Sequence, residues 1–220
     1  MLPTPTLILS ENKEDFKYLE NLPPYNPLID YESGNTRLDT TADDRKVLWS
    51  LSYDDYKFRL FNGIDYSEIL AEIPKEAPIL VQKVALAFDQ NMRPVWGYSY
   101  YSDLKINDNR YFSKIIWFDG TLNKYVEITI PGAKSLCMTL DDNRKEVTDS
   151  NDIIVAYVKN NILFMRYQRD RYAVDKTVLQ LPEDSILSRI GMTSTFRFQF
   201  EIKTLDSHRI VNNAFLLKGM

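Results

Sequence analysis

Four charged residues crowd one short stretch of the chain: Arg166, Arg169, Asp170 and Arg171, within "MRYQRDRY". Guanidinium groups beside a carboxylate bind an acidic sugar or a phosphate through bidentate hydrogen bonds. A sialic-acid-cleaving enzyme would use such arginines, but drawn from several sheets and joined by a tyrosine nucleophile with its own carboxylate. Here the arginines come from one stretch. The plainer expectation is that Arg169 and Asp170 point to opposite sides of a strand end and form cross-strand or intersubunit pairs. Arg169, Arg171 and Tyr172 are accordingly interface candidates.

Other reactive groups are sparse. His208 is the only histidine and sits in the polar turn "TLDSHRI", two residues after Asp206. A triad or a histidine metal site would rest on that single ring, so it reads as a solvated turn residue. Cys137 is the only cysteine, which rules out an intrachain disulfide, and its apolar setting in "SLCMTL" marks a buried, inert thiol. The pairs Asp43-Asp44, Asp54-Asp55 and Asp141-Asp142 fall at turns, where aspartate accepts local backbone hydrogen bonds, and no calcium-loop spacing surrounds them. Glycine-rich phosphate loops are absent. Trp96, Trp117 and Tyr98 form a candidate glycan platform, with core or interface packing as the alternative for the tryptophans, Trp49 included. No catalytic residue, metal site or cofactor is assigned, and the chain is not expected to be an enzyme.

The net charge of −4 is mild and its charges are interleaved, which opposes a general polyanion binder, so no nucleic-acid partner is expected. The opening "MLPTPTLILSENKEDF" lacks the basic region of a signal peptide. No stretch approaches the ~20 apolar residues of a membrane-spanning helix. A soluble protein made in the cytoplasm is expected.

The elements that must carry these residues are strands. Fourteen tyrosines and eleven phenylalanines stand against seven glycines in 220 residues, a bias towards β structure. Residues 1–45 differ: Pro3, Pro5, Pro23, Pro24 and Pro27 remove backbone donors and suit an extended arm. A short helix capped by Ser10 is expected within it. Pro23, Pro24 and Tyr25 are the arm's interface candidates. Residues 46–220 then read as one β-rich domain with period-two alternation. "VLWSLSYDDYKFRLF" divides at Asp54-Asp55 into two strands, and Asn160-Asn161 suits a tight turn at positive φ. Brief helical turns are expected at "DYSEILAEIP" and "PEDSILSRIG". "STFRFQFEI" sets Phe196, Phe198 and Phe200 on one face and Arg197, Gln199 and Glu201 on the other. "RIVNNAFLLKG" is expected to close a last hairpin.

An internal repeat organises the middle. "VALAFDQNMRP" and "LCMTLDDNRKE" each end an apolar strand in aspartate, Asp89 and Asp141, 52 residues apart, and each precedes two more strands. The units span about 79–130 and 133–180, a spacing like that of propeller blades. Too few units are present to close a ring of about four to eight blades, so edges must be covered or paired with other chains. The expected fold is all-β: antiparallel sheets with blade-like repeats, as a partial propeller or sandwich, plus the N-terminal arm.

Three segments carry a family resemblance. "VALAFDQNMRPVWGY", "SLCMTLDDNRKE" and "SNDIIVAYVKNNILFMRYQRDRYAVDKTVL", spanning Ile79 to Leu179, resemble a group of tailed-bacteriophage virion structural proteins. Met92 stands where that family's turn carries glycine. The resemblance implies a component of the tail tip, baseplate or a tail adaptor, located in the virion, partnered by other phage tail proteins and by copies of itself. It implies no catalytic residues. A host-surface glycan is the partner of the alternative, receptor-binding reading.

Overall fold

The computed structural model describes residues 29–30, 35–42, 47–89, 91–106, 108–140, 152–192, 198–204 and 208–212. In this range the chain is all-β. β1 (Ile29–Asp30) and β2 (Asn35–Thr36) precede a four-stranded meander of β3 (Leu38–Ala42), β4 (Leu48–Asp54), β5 (Lys57–Phe61) and β6 (Ser67–Glu72). The second sheet is β7 (Ile79–Phe88), β8 (Pro94–Ile106), β9 (Asn109–Asp119) and β10 (Lys124–Pro131), extended by β2 and β1 beside β7. The third is β11 (Lys134–Leu140), β12 (Ile153–Lys159), β13 (Ile162–Tyr167) and β14 (Lys176–Gln180). The fourth holds β15 (Ile186–Met192), β16 (Phe198–Lys203) and β17 (His208–Asn212). All neighbours pair antiparallel except β2 and β7, which share one parallel bridge between Thr36 and Lys83. None of the sheets closes into a barrel.

Three apolar clusters bind consecutive sheets. Leu51, Phe58 and Leu60 of the first sheet meet Leu86, Phe88 and Trp96 of the second. Ala85, Val95, Ile115 and Trp117, from the other face of the second sheet, meet Leu136, Met138, Val155 and Tyr157 of the third. Ile154, Ala156 and Leu163 then meet Leu187, Phe200 and Ile202 of the fourth. Alternation with period two is therefore read by two different cores, and "IIVAYV" is buried throughout because both its faces are covered. The first strands of successive sheets run side by side, β11 packing along both β7 and β15.

Two close approaches set the spacing between the second and third sheets. A Cβ at Gly97 would overlap the Lys114 carbonyl and stand 2.7 Å from Leu136 Cδ2. Ser99 Oγ accepts the Leu136 amide at 2.8 Å and lies 2.8 Å from Ser113 Oγ, whose hydroxyl donates to the Ala133 carbonyl at 3.2 Å.

Several expectations are corrected. Leu38–Ala42, counted within the 1–45 arm, is the first strand of a sheet, and Asn35–Thr36 covers the β7 edge of its own chain. "SEILAE" is a strand rather than a helical turn, because pairing with β5 supplies its backbone partners. "ILSRIGM" is likewise a strand. The one helical element among the described residues is the 3₁₀ turn Gln168–Asp170. Gln199 and Glu201, placed on a polar face of their strand, are buried along with Phe198 and Phe200. Asn160 and Asn161 take positive φ of 51° and 58°, as their turn requires. The proline arm, the Ser10 helix, Phe196, Arg197 and most of the last hairpin beyond β17 lie outside the described residues.

Candidate functional site

One rim of the second and third sheets gathers three aspartates, each at a strand end and each treated alike. Asp89 Oδ1 accepts the amides of Asn91 (2.8 Å) and Arg93 (2.9 Å). Asp119 Oδ1 accepts those of Thr121 (2.9 Å) and Leu122 (3.1 Å). Asp152 Oδ1 accepts that of Arg169 at 3.1 Å. The second oxygen of each meets a guanidinium: Arg93 Nε at 2.8 Å, Arg171 Nη2, and Arg169 Nε at 3.3 Å. Burial would raise the Asp119 carboxyl, but the Leu122 and Thr121 amides and Arg171 outweigh it and hold it below the usual carboxylate value. The Arg171–Asp119 pair ties the third sheet to the second.

The arginine cluster of the sequence therefore disperses. After the 3₁₀ turn, Arg171 and Tyr172 both adopt left-handed backbone, φ 52° and 54°, so their side chains leave in different directions. Arg169 packs over the Tyr167 ring at 4.6 Å and bonds Asp152 within its own sheet. Tyr172 turns inward, 0% exposed, with its ring edge-on to Trp117 at 5.1 Å. This corrects its reading as an interface residue: a side chain without surface touches no other chain. Arg169 and Arg171 keep about half of their side-chain surface, 49% and 57%. Pro23, Pro24 and Tyr25 lie outside the described residues.

Arg166 separates from the cluster altogether. It is buried beneath the turn, donating to Tyr157 Oη at 2.8 Å, to the Tyr172 carbonyl at 2.7 Å, and to Asp175, which also accepts the Tyr157 hydroxyl. Burial pushes the Tyr157 phenol up, and its bond to Asp175 adds to that. Burial would raise the Asp175 carboxyl too, but Arg166 and Tyr157 overcome the effect and lower it. A tyrosine, a carboxylate and an arginine do converge here, yet Tyr157 is 0% exposed and its phenol is made less acidic, not more.

A second buried cation was not singled out from the sequence. Lys83, in the middle of β7, donates to the carbonyls of Leu187 and Ser188, both at 2.7 Å, and to Cys137 Sγ at 2.8 Å. It thus joins the first strands of the second, third and fourth sheets. The available signal was a lysine inside the largely apolar run "VQKVALAF". Burial pushes the Cys137 thiol up, only partly offset by Lys83. A protonated thiol is a poor nucleophile.

The proposed glycan platform does not stand. Trp96, Trp117 and Tyr98 are no more than 7% exposed, because both faces of the second sheet are covered and their rings fill the two interlayers. Sugar stacking needs an open ring face. Of the aspartate pairs, Asp54 ends β4 and Asp55 opens the following turn at φ 44°, while Asp43-Asp44 and Asp141-Asp142 lie outside the described residues, as does Asp206. The backbone of His208 pairs with Lys203 at the start of β17. Among the described residues no helix is long and apolar enough to cross a membrane. No family model matches the chain, and neither a curated protein nor a solved structure is found similar to it.

Proposed function

We propose that this chain is a structural, non-enzymatic component of a bacteriophage tail, part of the tail tip, the baseplate or a tail adaptor. The observation that carries the assembly reading is the row of outer strands. β6, β10 and β14 each end their sheet without a further strand among the described residues. Each presents backbone donors and acceptors that another chain can complete by strand addition. We infer a partial propeller: successive meanders lie face to face, β7, β11 and β15 form the inner row, and Lys83 fastens that row. The tail assignment itself rests on the resemblance of residues 79–179. Tyr98, Tyr157 and Tyr172, whose phenols burial pushes up, sit inside the interlayers, which suits a structural subunit better than a catalyst.

Deleting residues 2–28 spares every described strand. The deletion is expected to leave a folded monomer by light scattering while the full chain forms a defined oligomer and enters particles. A truncated protein that assembles and enters particles like the full chain overturns the arm's role. A full chain that stays monomeric at high concentration and is absent from the tail in a density map of an intact particle overturns the function.

A further inference from the structure

The three aspartate–arginine pairs on the rim of the second and third sheets are layered, carboxylate below and guanidinium above. Asp89, Asp119 and Asp152 keep 7%, 5% and 9% of their side-chain surface, whereas Arg93, Arg171 and Arg169 keep 32%, 57% and 49%. Each pair is neutral in sum, yet water meets its cation. Two of the cations are also held in place: the Arg93 guanidinium lies over the Phe118 ring at 4.1 Å, and that of Arg169 over the Tyr167 ring at 4.6 Å. A side chain fixed by a ring and a carboxylate has little rotamer freedom left to lose on binding. Arg93 and Arg169 meet their aspartates through Nε, so the Nη1–Nη2 end of each, a two-pronged donor edge, has no acceptor among the described residues. The exposed Lys124 stands opposite Asp119 and adds a cation, while Asp170, the acid of the 3₁₀ turn, is answered by Lys176 at 3.9 Å.

The layout of the rim decides which anion it fits. Phe118 and Asp119 are successive residues of β9, so Arg93 over the one and Arg171 on the other flank the end of that strand on opposite sides. Arg169 stands on Asp152, at the start of β12. The guanidiniums are strung along the rim rather than aimed at one point. A single phosphate or acidic sugar reaches one of them, whereas an extended chain reaches all three. A polynucleotide draws its affinity from cations that release its counterions, and here each of the three arginines already has its anion. A peptide carboxylate needs no such excess of charge. Pressed against a guanidinium end, it accepts two short, charge-assisted hydrogen bonds.

We propose that this rim, with Arg93, Arg171 and Arg169 raised over Asp89, Asp119 and Asp152, is a docking surface for an extended acidic segment of a partner protein. The surface is made of strand ends and turns, apart from the outer strands β6, β10 and β14. Its test and that of the assembly reading therefore fail separately.

The probe is a short fluorescein-labelled peptide of alternating glutamate and threonine, titrated with the full chain at low salt and read by fluorescence anisotropy. A peptide with glutamine in place of glutamate and a single-stranded oligonucleotide are the controls. The acidic peptide is expected to give a saturable rise that the glutamine peptide does not. Arg93→Lys and Arg171→Lys are each expected to weaken it about tenfold, because lysine answers the aspartate with its single charge and presents no second edge. Arg110→Lys, at an exposed arginine near the opposite end of β9, leaves it unchanged. A readout that needs no variant guards against misfolding: bound peptide is expected to slow phenylglyoxal modification of Arg93, Arg169 and Arg171, but not of Arg110, in the wild-type chain. Absence of binding overturns the proposal, as does equal affinity for the glutamine peptide. Tighter binding of the oligonucleotide would assign the rim to nucleic acid and also overturn it. So would unaltered peptide affinity in both lysine variants, or equal labelling of the three arginines with and without peptide.

Discussion

Substituting Gly97 by alanine tests how rigidly the second and third sheets are spaced. The added methyl meets three atoms of different mobility. Leu136 Cδ2 at 2.7 Å and Met138 Cε at 3.0 Å belong to side chains that can turn aside, but the Lys114 carbonyl oxygen is backbone of the neighbouring strand. That strand is fixed by its own register, Gly97 opposite Ile115 and Tyr98 opposite Lys114. Relief requires bending β8 away from β9 or lifting β11, and lifting β11 would break the Ser99–Leu136 bond. Overpacking a tight core costs about 1–3 kcal/mol, and a backbone obstacle puts this site at the upper end, about 3 kcal/mol. For a chain of this size each kcal/mol lowers Tm by about 2–4 °C, so a fall of roughly 6–12 °C is expected in a thermal melt. Gly120→Ala is the control, because nothing lies within 4 Å of its added methyl. If Gly97→Ala melts within a degree of wild type, as Gly120→Ala should, the close approach of β8 and β11 is wrong and so is the sheet spacing built on it.

Three further outcomes follow from the site. Arg169→Ala with Arg171→Ala leaves the buried carboxylates of Asp152 and Asp119 without their guanidinium partners and should cost about 1–3 kcal/mol in a thermal melt; a larger loss of assembly than of Tm would place the arginines at an interface. Asp175→Asn leaves Arg166 buried and short of its anion, but Asp175 is itself open to water and Arg166 keeps Tyr157 and the Tyr172 carbonyl, so the cost should be about 1–2 kcal/mol at neutral pH in urea unfolding. The Asp175 carboxyl is lowered in the folded state, so its contribution is present above the ordinary carboxylate value and lost as pH falls through the folded one; the variant should therefore show a shallower acid decline, and an unchanged one would remove Asp175 from the account. Asn161→Val forces a β-branched residue into φ 58° and should cost about 1–2 kcal/mol, whereas Asn161→Gly should be nearly neutral by the same melt.

Much of the strand plan was legible because hairpin turns announce themselves locally. Asp54-Asp55, "QNMRP", "DGTLN" and Asn160-Asn161 each separate two runs that pair with each other, and pairing of adjacent runs needs no distant information. The two helical turns were misread because capping-type spacing and isolated apolar residues also occur in edge strands, where the neighbour rather than the local pattern supplies hydrogen bonds. The boundary at residue 45 failed for a related reason. Polar, threonine-rich "LDTTA" becomes a strand only because β4 lies beside it.

The site divides along the same line. Composition and alternation by themselves pointed to strands rather than helices, and the spacing of Asp89 and Asp141 marked where the repeated strands end. Which rings are buried, which arginines separate, and which groups accept the hydrogen bonds of Lys83 were decided only when the sheets came face to face. Alternation tells which residues share a side of a strand, but not whether that side meets another sheet or water. Trp96 and Tyr125 look equivalent along the chain; one lies in the middle of an interlayer and the other is exposed on the outer strand β10.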